Sequence, residues 1–380
     1  MHVDPYAHQS KQLCSQNSLT AAQSFAMQFV QNQSTLLQQQ MREQATSILQ
    51  NAGVDFVTVE DLLTNIRQHA RVTLSFHPDR ILPAGISVVE GLLATGIYKS
   101  QFETGVTNGG RTAYPGGDRD RWEEKLFGGA YQSSAVQEKE RPKYGALNLM
   151  NYADGASPRF GSCYIQLRPH LLQRCTFTFG DSHTGPEHFG TADSFDAILA
   201  ALLHSVETTK EALGSPNMDV PAVVHQLLTL RANGFQEANH RIGRALDDYI
   251  EAQIHGDIDL GTDVEAIFAD PSYQGTHIAS KLQLLADKYA IELVWHPGFV
   301  LSVSDVPADF RGPAMPPFAA RLDQRYGASS GVLDAATIGR AAADFSDHPD
   351  NWKDWGEPNE TWQHLKQIWH VLVRYGRQVS

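Results

Sequence analysis

The chain has 380 residues, 42% hydrophobic and 19% charged, with a net charge of −13 at pH 7. That composition supports a sizeable packed core, in two or three domains or in one domain with helical additions, and excludes wholesale disorder. The acidic balance argues against a nucleic-acid partner, which calls for a basic face, and leaves room for a protein partner with a basic surface.

In chain order, residues 1–18 read as a disordered, Ser- and Gln-rich tip, of a kind that suits export by a contact-dependent secretion system. From Leu19 to residue 70 helix formers dominate. Phe25, Met27, Phe29 and Leu36 are spaced roughly as on a helix, and a second helix is expected over Val59–His69, with Glu60 and Asp61 in its first turn. Arg71–Phe76 alternates and is β-branched, so it reads as a strand, stopped at Pro78. "SVVEGLLATGIY" predicts a short helix, and 104–131 a run of Gly-rich loops. Further strands are expected at "YGALNLM", "GSCYIQLRP" and "RCTFTFG". The pattern is helical from Phe189 to about Tyr249. Strands return at 250–269 and at "IELVWHPGFVLSV", and two helices close the chain at about 334–345 and 360–376. The sum is an α+β protein: a mostly antiparallel sheet with helices before, within and after it.

Three cysteines, Cys14, Cys163 and Cys175, make an odd number with no CxxC, so neither a disulfide framework nor a zinc knuckle is signalled. Cys163 and Cys175 read as core thiols, and a reducing compartment is the natural setting. No apolar run approaches the ~18–20 residues that a bilayer span needs, so no membrane span is expected. A basic-then-apolar signal peptide is not seen at the N-terminus.

Several short motifs carry chemistry, each beside a blander reading. "TFTFGDSHTG" is similar to the first block of GDSL-type esterases, which would make Ser182 a nucleophile. That chemistry needs a late Asp-x-x-His, and none of the 16 histidines has an Asp three residues before it. The alternative is a tight strand-end turn in which Asp181 and Ser182 bond local backbone. The histidines form no HExxH and no paired set beside carboxylates, so no metal site is expected. "SFHPDR" places His77 and Arg80 just past a strand end, which is a turn or a ligand site. Tyr144 precedes Gly145, whose missing side chain lets a planar group approach the backbone. Asn148 interrupts an apolar strand and needs a partner in the protein or in a ligand. Glu251 opens the strand "YIEAQIHG" as a lone acid, either a solvated strand end or a catalytic carboxylate.

Taken in order, "SFHPDR", "YKSQFETG", "ERPKYGALNL", "TFTFGDS" and "EAQIHG" resemble the ADP-ribosyltransferase superfamily. Within it they look like a bacterial family long labelled only as a domain of unknown function, associated with the CteC-type effectors that attach ADP-ribose to a threonine of host ubiquitin. The blocks span residues 75–256. The resemblance implies a split antiparallel β-sheet core over 71–305, a helical insertion at about 189–249, a C-terminal helical region at 306–380, and a strand running back after the Glu251 strand, within 254–269. It implies NAD as co-substrate and no metal. His77 would hold the adenosine-side ribose and Arg80 the pyrophosphate. Tyr144 would stack on the nicotinamide, with Gly145 bonding its amide. Glu251 would be the catalytic carboxylate, supported by Thr176, Thr178 and Ser182. "SQFETG" would close over the dinucleotide, with Gln101 or Glu103 in polar contact and Glu103 a rival for the catalytic role. The expected setting is a secreted bacterial effector acting in the host cytosol and blocking ubiquitination. The alternatives are an NAD glycohydrolase on the same fold, an esterase using Ser182, and a non-catalytic binding module.

Overall fold

The computed structural model describes residues 19–105, 112–230 and 243–379. The expected disordered tip and Cys14 lie outside these residues, as do parts of the Gly-rich loop and of the second helical run.

The chain opens with α1 (Ala21–Asn51) and α2 (Val59–His69). Thr20 and Thr58 start them, each in a reciprocal capping box, with Gln23 and Asp61 as the partners. The expected apolar face of α1 is corrected. Phe25 and Leu36 are exposed, and the buried stripe is Gln23, Ala26, Val30, Ser34, Met41 and Ala45. Ala26, Ser34 and Ala45 share that face of α1 with larger side chains, and Ser34 bonds Ser194 across the contact at 2.5 Å.

Next come β1 (Val72–Phe76), α3 (Val88–Thr95), the single turn α4 (Gln101–Thr104), α5 (Asp118–Leu126), β2 (Lys143–Leu147), β3 (Cys163–Leu167), β4 (Cys175–Phe179) and β5 (Phe189–Thr191). The helical stretch expected from Phe189 is broken up. After β5 it holds α6 (Asp196–Thr209), a tight hairpin of β6 (Glu211–Ala212) and β7 (Ser215–Pro216), and α7 (Val220–Leu228). The chain continues through β8 (Ile250–Ile254), the turn α8 (Leu260–Asp263), β9 (Val264–Ala269), α9 (His277–Tyr289), β10 (Glu292–Trp295) and β11 (Val300–Ser302). It ends in α10 (Met315–Tyr326), β12 (Val332–Asp334), α11 (Ala335–Asp347) and α12 (Pro358–Tyr375).

Eight strands form one sheet in the order β10-β9-β3-β1-β2-β8-β4-β5. Every neighbouring pair is antiparallel except β9 and β10, which run parallel on either side of α9, so the sheet is mixed. The expectation of a strand running back after the Glu251 strand is corrected. Between β8 and β9 lie β2, β1 and β3, and the four antiparallel steps give β8 and β9 the same sense. β9 pairs with β3, which buries all of its run Val264–Ala269 but Glu265, and Glu265 pairs with Arg71.

The pairing of β1 positions the site. Val72 and Thr73 pair with Leu147 and Ala146 of β2, whereas Thr73 through Phe76 pair with β3. Beyond Thr73 the register partners of β2 are on β8 alone. The two central strands therefore meet at one end and part at the other. One apolar core runs from Met41 and Leu62 through Leu74 and Phe177 to Phe318 and Trp369, so the C-terminal helices share it with the sheet.

Candidate active site

A cavity of about 570 Å³ opens where β1 and β2 part. Ser75, Phe76 and His77 line it from β1 and its end, and Lys143, Tyr144 and Gly145 from β2. Its polar wall also includes Glu251 of β8, Arg80, Gln101, Arg119, Arg159, Asp181 and Lys366. The volume lies within the ordinary range for small-molecule sites.

Glu251 sits on β8, directly opposite Thr178 of β4 and Ala146 of β2. Strand alternation puts residue 253 on the same face as residue 251. Gln253 Nε2 donates to Glu251 Oε1 at 2.9 Å and to Thr178 Oγ1 at 3.3 Å, and its Oε1 accepts from Thr176 Oγ1 at 2.8 Å. The Ser182 N–H approaches Glu251 Oε2 at 3.5 Å. Thr176 and Thr178 thus reach the carboxylate through Gln253, and Ser182 reaches it through its backbone. Burial, together with the negative charge of Asp181, pushes the Glu251 carboxyl up to about 7. Burial alone would raise Asp181 too, but hydrogen bonds from His183 and Tyr249 hold it below the usual range.

Tyr144 is fixed from two sides. Its hydroxyl donates to Glu123 Oε1 at 2.7 Å, and the Arg119 guanidinium lies over its ring at 4.4 Å from the centroid. Glu123 is fully buried and paired with Arg141 at 2.8 Å; desolvation raises its carboxyl against these partners. Sequence reasoning misses Arg119 and Glu123 because "DRDRWEEKL" sits among Gly-rich segments that read as loop. The i, i+4 spacing of the two around Trp122 is the signal that could have found them. Gly145 is needed where it stands: a Cβ there would lie 2.6 Å from the Thr73 carbonyl oxygen.

His77 is buried, with Nδ1 at 3.2 Å from Ser162 Oγ and its ring edge-on to Trp369 at 5.1 Å. Desolvation, and then Arg80, hold its imidazole well below the ordinary range, so the ring is neutral. Arg80 is also buried. Its Nη1 has no hydrogen-bond partner, and its guanidinium lies 5.7 Å from the Trp362 ring. Gln101 Oε1 is likewise buried and unpartnered at the cavity wall.

Two of the expected residues are engaged elsewhere. Asn148 closes a turn, donating to the Tyr152 carbonyl at 3.0 Å and accepting from its N–H at 2.9 Å. Glu103 caps α4, accepting from the Ser100 N–H at 2.7 Å. Neither lines the cavity. Ser182 is buried and its Oγ has no partner, so no imidazole stands ready to take its proton. Among the described residues no group of three or more His, Cys, Asp or Glu side chains could hold a metal ion, and no helix is long and apolar enough to cross a membrane. Cys163 and Cys175 are free buried thiols.

The Gene 2 protein of Mycobacterium phage D29 is 25% identical to this chain over 209 residues, covering 54% of the chain and 69% of that protein. A family match covers residues 71–375, from the first residue before β1 to the end of α12. It encloses every residue that lines the cavity, and the chain belongs to the family described as protein of unknown function (DUF3626).

Proposed function

We propose that the protein is a mono-ADP-ribosyltransferase that cleaves NAD and passes ADP-ribose to a protein side chain. The observation that carries this reading is a single buried carboxylate, Glu251, held by Gln253 and facing the cavity that also receives His77, Arg80, Tyr144 and Gly145 where β1 and β2 part. These five residues come from three distant segments of the chain and converge on one cavity wide enough for a nucleotide. The ADP-ribosyltransferase resemblance gives each a role, and the parted central strands are compatible with the split sheet it implies.

The chemistry follows from the groups present. The bond between nicotinamide and ribose C1′ breaks, and its electron pair leaves on nicotinamide. The ribose carries the developing positive charge, which a carboxylate stabilises. The acceptor hydroxyl oxygen then bonds C1′ and its proton passes to Glu251. A carboxyl with a pKa of about 7 can do both, because it is half-ionised at neutral pH, ionised above it, and lowered further by the cationic nicotinamide ribosyl group. Tyr144 offers an aromatic face, already fixed by Glu123 and Arg119, for the nicotinamide ring.

Resemblance alone directs the acceptor to a threonine of ubiquitin and the setting to a bacterial effector secreted into a host cell. Nicotinamide release from NAD by the purified full chain, followed by chromatography, tests the reaction class. The wild type should release nicotinamide, Glu251→Ala should not, and Ser182→Ala should keep activity because its backbone N–H remains. No nicotinamide release by the wild type, together with hydrolysis of a p-nitrophenyl ester that Ser182→Ala abolishes and Glu251→Ala keeps, would replace this reading with the esterase.

A further inference from the structure

Three cations from distant parts of the chain line the cavity with donors left over. Arg80 follows β1, Arg159 lies in the turn before β3, and Lys366 is on α12. Arg80 Nη1 and Arg159 Nε are buried and without hydrogen-bond partners. No hydrogen bond or ion pair is made by Lys366 among the described residues, although the side chain is half-buried. On α12, positions 362, 366 and 369 share one face. Trp362 meets the Arg80 guanidinium and Trp369 the His77 ring, so the face that carries Lys366 is the one turned to the cavity.

The nearby acids offset this charge only in part. Asp181 is engaged by Tyr249 and His183, and Asp247 lies at the surface, shared between Arg159 and Arg311. Asp79, beside Arg80, accepts from the Tyr273 hydroxyl at 2.8 Å, and burial raises its carboxyl and so weakens its hold as a counter-ion. Burial, and the positive charges of Arg159 and Arg311, depress the Lys366 ammonium below its ordinary range. A half-buried ammonium without a counter-ion is costly, and an anion in the cavity would relieve the cost.

We propose that Lys366 and Arg159 join Arg80 in an anion site that grips a diphosphate, which makes α12 part of the nucleotide-binding wall. The choice of a diphosphate rests on the NAD reading above. Guanidinium forks match phosphate oxygens two at a time, and an ammonium adds a point charge, so the three donors suit a group of two negative charges rather than a single carboxylate. The family match runs through Tyr375 and so includes this helix.

Calorimetric titration of the full chain with NAD, inorganic pyrophosphate and adenosine tests it. The wild type should bind NAD and pyrophosphate. Lys366→Ala should weaken both by roughly tenfold or more, the loss of one charge-assisted contact, and leave adenosine binding unchanged. Lys366→Arg should restore most of the affinity, and a melting curve matching wild type shows that the variants fold. Pyrophosphate binding that Lys366→Ala removes, without NAD binding by the wild type, upholds the anion site and overturns the dinucleotide reading. NAD binding that Lys366→Ala leaves intact overturns the anion site and spares that reading. Equal loss for adenosine also overturns it, because the helix would then be acting on shape alone.

Discussion

Glu251 carries two consequences that one residue can test. Its carboxyl titrates at about 7 in the folded chain, against 4.5 ordinarily. On the proposed chemistry, kcat/KM for nicotinamide release, which reports the unliganded protein, should therefore rise with pH through about 7 and level off above it. A profile that is flat from pH 5 to 9 would remove this carboxylate from the rate. The same shift has a sign for stability. The folded state holds the proton more tightly, so the group's contribution is full below pH 4.5 and is lost as pH rises through 7. Glu251→Gln escapes this loss. It should be more stable than wild type at pH 8, by on the order of 3 kcal/mol at most, and no more stable at pH 4, as read by denaturant titration at both pH values.

Among the elements, β1 and β2 matter most, because the cavity exists only where they stop pairing. Gly145→Ala places a methyl carbon against the Thr73 carbonyl, 2.6 Å away on fixed backbone. The strands must shift, at a cost of about 1–3 kcal/mol, and thermal melting together with NAD affinity should both fall. Unchanged melting would mean that the strands separate freely there. Much of this level was legible in the sequence. The alternating, β-branched run Arg71–Phe76 marked β1, and short apolar runs marked β2, β3, β4 and β8, each of which pairs on both edges in the sheet. α9 was missed, although Thr276 before Ile278, Leu282 and Leu285 carries both a cap and a helical period. The short β5 disappeared into a helical pattern because three residues carry too little period to register. The order of the strands was not legible, since nothing in the run 254–264 says that β9 will add to β3, with β2 and β1 standing between that strand and β8. At the site, Glu251, His77, Arg80, Tyr144 and Gly145 line one cavity, a grouping that the order of the motifs suggested and that no one of these residues would suggest alone. Asn148 and Glu103 satisfy local backbone instead, which their neighbours Tyr152 and Ser100 make possible. Lys366 was hidden because its significance arises only when α12 meets Arg80 and His77, which lie near the other end of the chain.

Across the whole molecule, the sheet and the C-terminal helices are one packed body. Phe318 and Trp369 belong to the same core as Leu74 and Phe177, and the Trp369 indole donates to the Pro158 carbonyl at 2.9 Å. A chain ended after residue 305 should therefore fail to fold, not merely lose a target-binding appendage. Its circular dichroism and melting would show no cooperative transition; a stable, cooperatively melting fragment would support a domain boundary at 305. The net charge of −13 also bears on partners at this scale. Association with a basic protein surface should weaken as salt rises toward the range where the screening length falls to a few ångströms.

At every scale the proposed chemistry turns on Glu251 directing the transfer of ADP-ribose from NAD to a protein hydroxyl. The intact mass of ubiquitin, after incubation with the 380-residue chain and labelled NAD and with Glu251→Ala as control, tests that step without intermediaries. Ubiquitin should gain one ADP-ribose with the wild type and none with the variant. Unmodified ubiquitin with nicotinamide release would retain the cleavage and discard this acceptor. An unchanged NAD pool with both proteins would rule out the transferase and return Glu251 to the status of a buried strand residue.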